Sequence, residues 1–212
     1  MTRVPAKESV MDNNITRPEK GRRFDTAALV TLALLTAIVA VLQGLSLGIR
    51  FGMFSITLTL VPIIVGASLY GWKAGAWLGA VFGAVVLLTD AGAFLAVNIP
   101  GTIVTVLAKG IAAGAAAGLI YTLIAKKNST AAVIAAAVVS PIVNTGIFLL
   151  GCRIFFWDFI GQIAIGEGFE SAGAYIIFGM VGINFLIELG VNLVLSSAIV
   201  TIVNLAKKKR KA

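Results

Sequence analysis

The stretch FGMFSITLTLVPIIVGASLYGWKAGAWLGAVFG, residues 51–83, decides the fold, because it holds two apolar segments with almost nothing between them. Residues 54–70 carry no charge. At 17 residues, that run is about the shortest that crosses a hydrocarbon core of roughly 30 Å. After the turn at Gly71, Trp72 and Lys73, glycine recurs at Gly75, Gly79 and Gly83. Four-residue spacing places the three on one helical face, where the missing side chains let another backbone approach closely, the usual means of helix association in lipid. The ladder therefore reads first as tight internal packing and second as a sliding surface for a partner protein.

Composition places the rest of the chain in the same class. Hydrophobic residues make up 59% and charged residues 12%, and the mean hydropathy is +1.01. Soluble domains carry about a quarter charged residues, so the sequence reads as an integral membrane protein. Long continuous apolar runs favour helices over a barrel, whose strands alternate over about ten residues. A lone cysteine, Cys152, leaves no intrachain disulfide, and the absence of histidine removes the commonest metal ligand. No metal or cofactor is expected.

In chain order, residues 1–23 are polar, contain Pro5 and Pro18, and read as a disordered basic cytoplasmic tail rather than a leader peptide. Residues 24–206 form the membrane domain, and 207–212 a second basic tail. Six spans are predicted: 24–45, 54–70, 73–88, 102–125, 129–150 and 171–206. The first carries Ala33 and Ala37, a small-xxx-small pair, with Ala40 near the same face. Pro62 in the second frees a carbonyl one turn back and reads as a kink or a cavity lining. Pro100 suits the first turn of the fourth span, which carries another ladder, Gly110, Gly114 and Gly118. Pro141 is expected to break the fifth. Residues 151–168 read as the longest loop, with Phe155, Phe156 and Trp157 as anchors at the membrane interface in preference to a stacking platform for a ligand. The sixth span carries Asn184, Glu188, Asn192 and Ser196 at steps of four, a polar row on one face.

Orientation follows from the basic residues, since short Lys/Arg-rich loops stay cytoplasmic. Six lie in the amino tail, five in the carboxyl tail, and Lys73, Lys126 and Lys127 lie in short turns. The remaining connections contribute only Arg50 and Arg153. Six helices with both termini inside is the expected topology, the longer connections opening outward. The net charge of +8 sits at inner helix ends, where topology and anionic lipid account for it without nucleic acid.

Chemistry is expected where polar groups lie deep. Lys109 falls about eight residues into its span, on the order of 12 Å below the outer surface, and an ionisable group at that depth is functional by default. It reads either as a contact for a ligand carboxylate or as an ion-pair partner of Glu188 that fixes packing. Asn144 and Asn184 lie at comparable depth, as ligand contacts or interhelical hydrogen bonds. Glu188 on the sixth span, and Arg50 and Asn98 in outer connections, complete the candidate ligand contacts. The chain has no GxxxxGK[ST], GxSxG or HExxH pattern and no cysteine–histidine pair, which argues against ATP hydrolysis by this chain and against an enzyme.

The segment SITLTLVPIIVGASLYGWKAGAWLGAVFGAVVLL, with its short apolar helix, its proline, a tight turn followed by KAGA and a Gly-laddered helix, resembles the substrate-binding S components of energy-coupling factor (ECF) transporters. The resemblance runs from about residue 24 to residue 206 in span number and loop pattern. It implies a six-helix bundle that captures a vitamin-like small molecule from outside. Delivery would come by toppling in the bilayer against a transmembrane T component driven by two ABC-type ATPases. In that family an AxxxA pattern on the first helix contacts the T component, which assigns Ala33, Ala37 and the neighbouring Ala40 to that interface. Local patterns of the thiamin, biotin and riboflavin subgroups are not evident, leaving a pantothenate-like, folate-like or other unassigned substrate, with Lys109 favouring a carboxylate. The alternative from another class is a stand-alone secondary transporter or channel, and a structural membrane scaffold is the third.

Overall fold

The structure is a computed structural model that describes residues 26–46, 50–51, 54–55 and 58–209, with the side chains at 50–51, 54–55, 183, 184 and 209 outside the described set. The expected tail 1–23 lies outside it too. Helix α1 (Thr26–Ser46) leads to a two-residue antiparallel ladder, β1 (Arg50–Phe51) against β2 (Phe54–Ser55), and then to the α2–α3 hairpin, Leu60–Tyr70 and Trp72–Thr89. A short α4 (Gly92–Val97) precedes the long α5 (Ile99–Ile124) and α6 (Ser129–Phe155). The chain closes through α7 (Trp157–Gly166), the single turn α8 (Ala172–Ala174), a π-helical stretch Tyr175–Val181 and α9 (Gly182–Lys209). The protein is thus an all-α membrane protein, the two-residue ladder aside. Five helices among the described residues are long and apolar enough to span a bilayer: α1, α3, α5, α6 and the run Ala172–Lys208.

The second predicted span is shorter than expected. Helix begins at Leu60 rather than at residue 54, because Phe54 and Ser55 pair with Arg50 and Phe51 and Pro62 falls in the first helical turn. There the missing N–H has no partner to lose, so Pro62 starts the helix instead of kinking it. At 11 residues, α2 is about 16 Å long. Apolar on every side, it is the kind of helix that must be buried, and it touches α1, α3, α5, α6 and α9. Leu60, Ile63, Ile64 and Ala67 are wholly inaccessible and form the centre of the main core with Leu35, Val39, Phe82, Val133 and Ile199.

The two glycine ladders meet each other. A Cβ at Gly75 would strike the Gly114 carbonyl, one at Gly79 the Gly110 carbonyl, and one at Gly83 the Val106 carbonyl oxygen at 2.9 Å. At the far end a Cβ at Gly118 would lie 2.5 Å from Trp72 Cα. Helices α3 and α5 therefore run antiparallel in backbone contact, and the face is spent on internal packing. Its absence of side chains is what brings Phe82 and Val86 of α3 level with Val106 and Lys109 of α5.

Two further expectations are corrected. Residues 151–168 are mostly helical: α6 continues to Phe155, and α7 buries Ile160 and Ala164, one helical turn apart, in a second, smaller core with Phe94, Cys152, Phe156, Tyr175 and Met180. Phe156 is therefore a core residue, only 2% exposed, while Phe155 and Trp157 stay partly exposed. The Arg153 guanidinium stacks 4.6 Å from the centre of the Trp157 ring. Pro141 does not break α6, which passes through it. The π-helical stretch widens the turn and aims Tyr175 and Met180, five residues apart, at the same core.

Candidate functional site

Between the two cores lies a pocket. It is lined by Val86 and Asp90 at the end of α3, Ala91 and Phe94 before and within α4, Thr102, Thr105, Val106 and Lys109 along α5, and Phe148 and Phe156 at the end of α6 and just beyond. The cavity proper is about 40 Å³, and about 390 Å³ when the open solvent at its mouth is counted, so a nutrient-sized ligand must widen it or extend into the mouth. The mouth lies at the helix ends remote from Lys73, Lys126 and Lys127, since α3 starts and α5 ends at those lysines.

Each wall has a local cause. Asn98 caps α5: its Oδ1 accepts from Gly101 N–H at 2.9 Å, and its carbonyl accepts from Thr102 Oγ1 at 2.7 Å. Pro100 sits in that first turn, so α5 enters the pocket with its end satisfied. Thr102, Thr105 and Lys109 follow at intervals of three and four, one face of one helix. Phe94 packs edge-on against Phe148, Phe156 and Phe159 with ring centres 5.8, 5.0 and 5.9 Å away, giving a rigid aromatic wall.

Lys109 is the floor. Seven residues below Thr102, its Cα is about 10 Å deeper. A helical side chain leans toward the helix N-terminus, which tips its stem up toward the mouth. The ammonium lies 5.5 Å from the centre of the Phe82 ring and 5.2 Å from that of Phe148, within cation–π range. Among the described residues it makes no hydrogen bond or ion pair. Among the carboxylates Glu188 attracts it most and Asp90 next, and the residue lines the pocket.

The other expected contacts are distributed around this centre. Asn144 is 6% exposed on α6, one turn deeper than Phe148, with a buried Oδ1 that has no hydrogen-bond partner. Glu188, Asn192 and Ser196 are buried along one face of α9, as the polar row requires, and Asn192 Nδ2 donates to the Glu188 carbonyl at 2.8 Å. The side chains of Arg50 and Asn184 lie outside the described residues. Ala33 and Ala37 are exposed on α1, and Ala40 is half-buried. Phe94, Thr102, Thr105, Phe148 and Phe156 were not singled out as ligand contacts by the sequence, nor was Asp90. The i, i+3, i+7 spacing of Thr102, Thr105 and Lys109 is the signal that could have found the α5 members. The aromatic wall depends on long-range packing and has no local mark.

A family model described as the ECF transporter, substrate-specific component, matches residues 27–200. The chain belongs to that family. The match runs from the start of α1 well into α9 and includes every residue of the pocket. No curated protein matches the chain. The pocket brings together one cation, two hydroxyls, one carboxylate and an aromatic wall. Among the described residues no cluster of metal-ligating side chains occurs.

Proposed function

We propose that this ECF substrate-specific component captures a small, carboxylate-bearing nutrient from outside the cell. The ligand's carboxylate would lie against Lys109 and its body against Phe94, Phe148 and Phe156. The observation that carries this reading is the Lys109 ammonium itself, deep in the pocket with its donors unmet by the described residues. A pantothenate-like molecule, the smaller of the two expected ligands, asks less widening of the pocket and stands first; a folate-like molecule is larger and gains more from the aromatic wall, so it stands second. Asn144, whose acceptor is unmatched, and Asn184, Glu188, Asn98 and Arg50 complete the proposed ligand environment. Both termini are taken as cytoplasmic, with the pocket mouth on the opposite, outer side, because Lys73, Lys126, Lys127, Lys207 and Lys208 lie at the other helix ends. Ala33, Ala37 and Ala40 are proposed to meet the T component, since two of them stand exposed on α1 where a close-packed partner helix fits.

Two measurements test this. Mass spectrometry of protein purified from rich medium should find a retained carboxylate-bearing small molecule, and a retained ligand without a carboxylate sinks the Lys109 reading. Reconstituted alone in liposomes under an ion gradient, the protein should take up nothing. Uptake should appear only with the T component, both ATPases and ATP. Gradient-driven uptake by this chain alone would replace this reading with that of a secondary transporter.

A further inference from the structure

Thr105 differs from the other threonines of its own helix, Thr102 and Thr122. In α1, α3, α5 and α9, Thr31, Thr36, Thr89, Thr102, Thr122 and Thr201 each donate to the carbonyl four residues back, at 2.7 to 3.0 Å. That bond is the default for a hydroxyl in an apolar helix, because nothing else meets its polarity. Thr105, only 4% exposed, lacks it: its Oγ1 is buried without any partner. Valine has the same shape and would fill the space without stranding a hydroxyl, so packing gives no reason for threonine here.

Position supplies the reason. Thr105 lines the pocket one turn above Lys109 on the same face of α5, and the Lys109 stem leans back over that turn. Behind it, outside the pocket lining, stands Gly151 of α6, where an added Cβ would collide with the Thr105 side chain, 2.8 Å from its Cβ. Gly151 thus leaves the space that the Thr105 hydroxyl and methyl occupy, and χ1 of Thr105 must rotate for the hydroxyl to enter the pocket.

Resting on the pocket reading above, we propose that Thr105 is a specificity-determining residue. Its hydroxyl and the Lys109 ammonium form a two-donor clasp for the two oxygens of one ligand carboxylate, with Gly151 as the positioning residue behind it. A neutral ligand lacking paired acceptor oxygens leaves one donor unmet and is rejected.

The test uses the full chain in detergent, with Thr105→Val, Thr105→Ser and Lys109→Ala beside the wild type. Freed of ligand, Thr105→Val should melt about 2–4 °C higher than wild type, since it removes a stranded hydroxyl and keeps the shape. A lower melting temperature would mean that the hydroxyl has a structural partner, and would overturn the assignment. With pantothenate as probe, Thr105→Val should bind about tenfold more weakly, and Thr105→Ser should recover most of the affinity. If Thr105→Val binds as wild type does while Lys109→Ala does not, the clasp is wrong and the pocket reading stands. If wild type ignores pantothenate, the same variants are compared with folate as probe; if Lys109→Ala binds the probe as wild type does, the pocket reading fails and the clasp fails with it.

Discussion

Alanine in place of Gly79 should lower the melting temperature of the protein in detergent by about 6–12 °C. The new Cβ meets the Gly110 carbonyl, its carbon at 2.6 Å, and the Ile111 nitrogen at 3.1 Å. These are backbone atoms of a neighbouring helix, which cannot rotate aside as a flexible side chain does. Helices α3 and α5 must separate, and the separation loosens every other close approach in the ladder. Overpacking of this kind costs about 3 kcal/mol at the upper end of its usual range, and for a chain of this size each kcal/mol is worth about 2–4 °C. Gly75→Ala, against the Gly114 carbonyl, should behave alike. The double variant should lose less than the sum, because helices already apart have room for the second methyl. Gly44→Ala is the control: nothing lies within 4 Å of the Cβ it would add, and its melting temperature should stay within about 1 °C. A Gly79→Ala protein as stable as wild type would mean that α3 and α5 are not in backbone contact.

That interface marks how far the sequence could be read. Both ladders are visible as four-residue repeats, and the reading of them as tight packing follows from residue size alone. Their mutual pairing does not, because spacing names a face without naming its partner. The class of protein, the long helices, the buried row Glu188, Asn192 and Ser196, and the Pro100 start of α5 were legible because each depends on local composition or on one helical period.

The failures share a cause as well. Reading residues 54–70 as one span treated an apolar run as a helix, whereas residues 54–55 pair as a strand and helix starts only at Leu60, and a short helix inside a bundle does not need to cover the whole bilayer. Reading 151–168 as a loop followed its aromatics and charges, and missed that Ile160 and Ala164 are one turn apart and can seat a helix on Phe156. Of the pocket, Lys109 was legible from depth. Thr105 was not, since a hydroxyl in a span normally bonds its own helix, and only the folded chain reveals one that does not.

The second large effect is expected at Lys109. Lys109→Ala should weaken binding of the retained ligand by about 10- to 150-fold, the worth of a charge-assisted hydrogen bond in a buried site, while helix content and elution as a monodisperse protein stay unchanged. Alanine also deletes the stem that packs under Phe82 and Phe148, so Lys109→Met is the cleaner probe, keeping the apolar volume and removing the charge. Equal losses in both variants assign the effect to the ammonium. Glu188 decides between a ligand contact and a packing ion pair. If Lys109 and Glu188 only hold helices together, Glu188→Gln and Lys109→Met should destabilise the protein alike and should leave ligand affinity intact. If Lys109 meets a ligand carboxylate, the two variants part in sign. Glu188→Gln removes the strongest negative field acting on the ammonium, so an anionic ligand should bind as tightly as before or more tightly, at some expense of stability. Lys109→Met should lose the ligand and keep or gain stability, as a buried cation replaced by a matched apolar side chain often does. Affinity that falls equally in both variants would make the pair a single structural unit and take Lys109 out of the site.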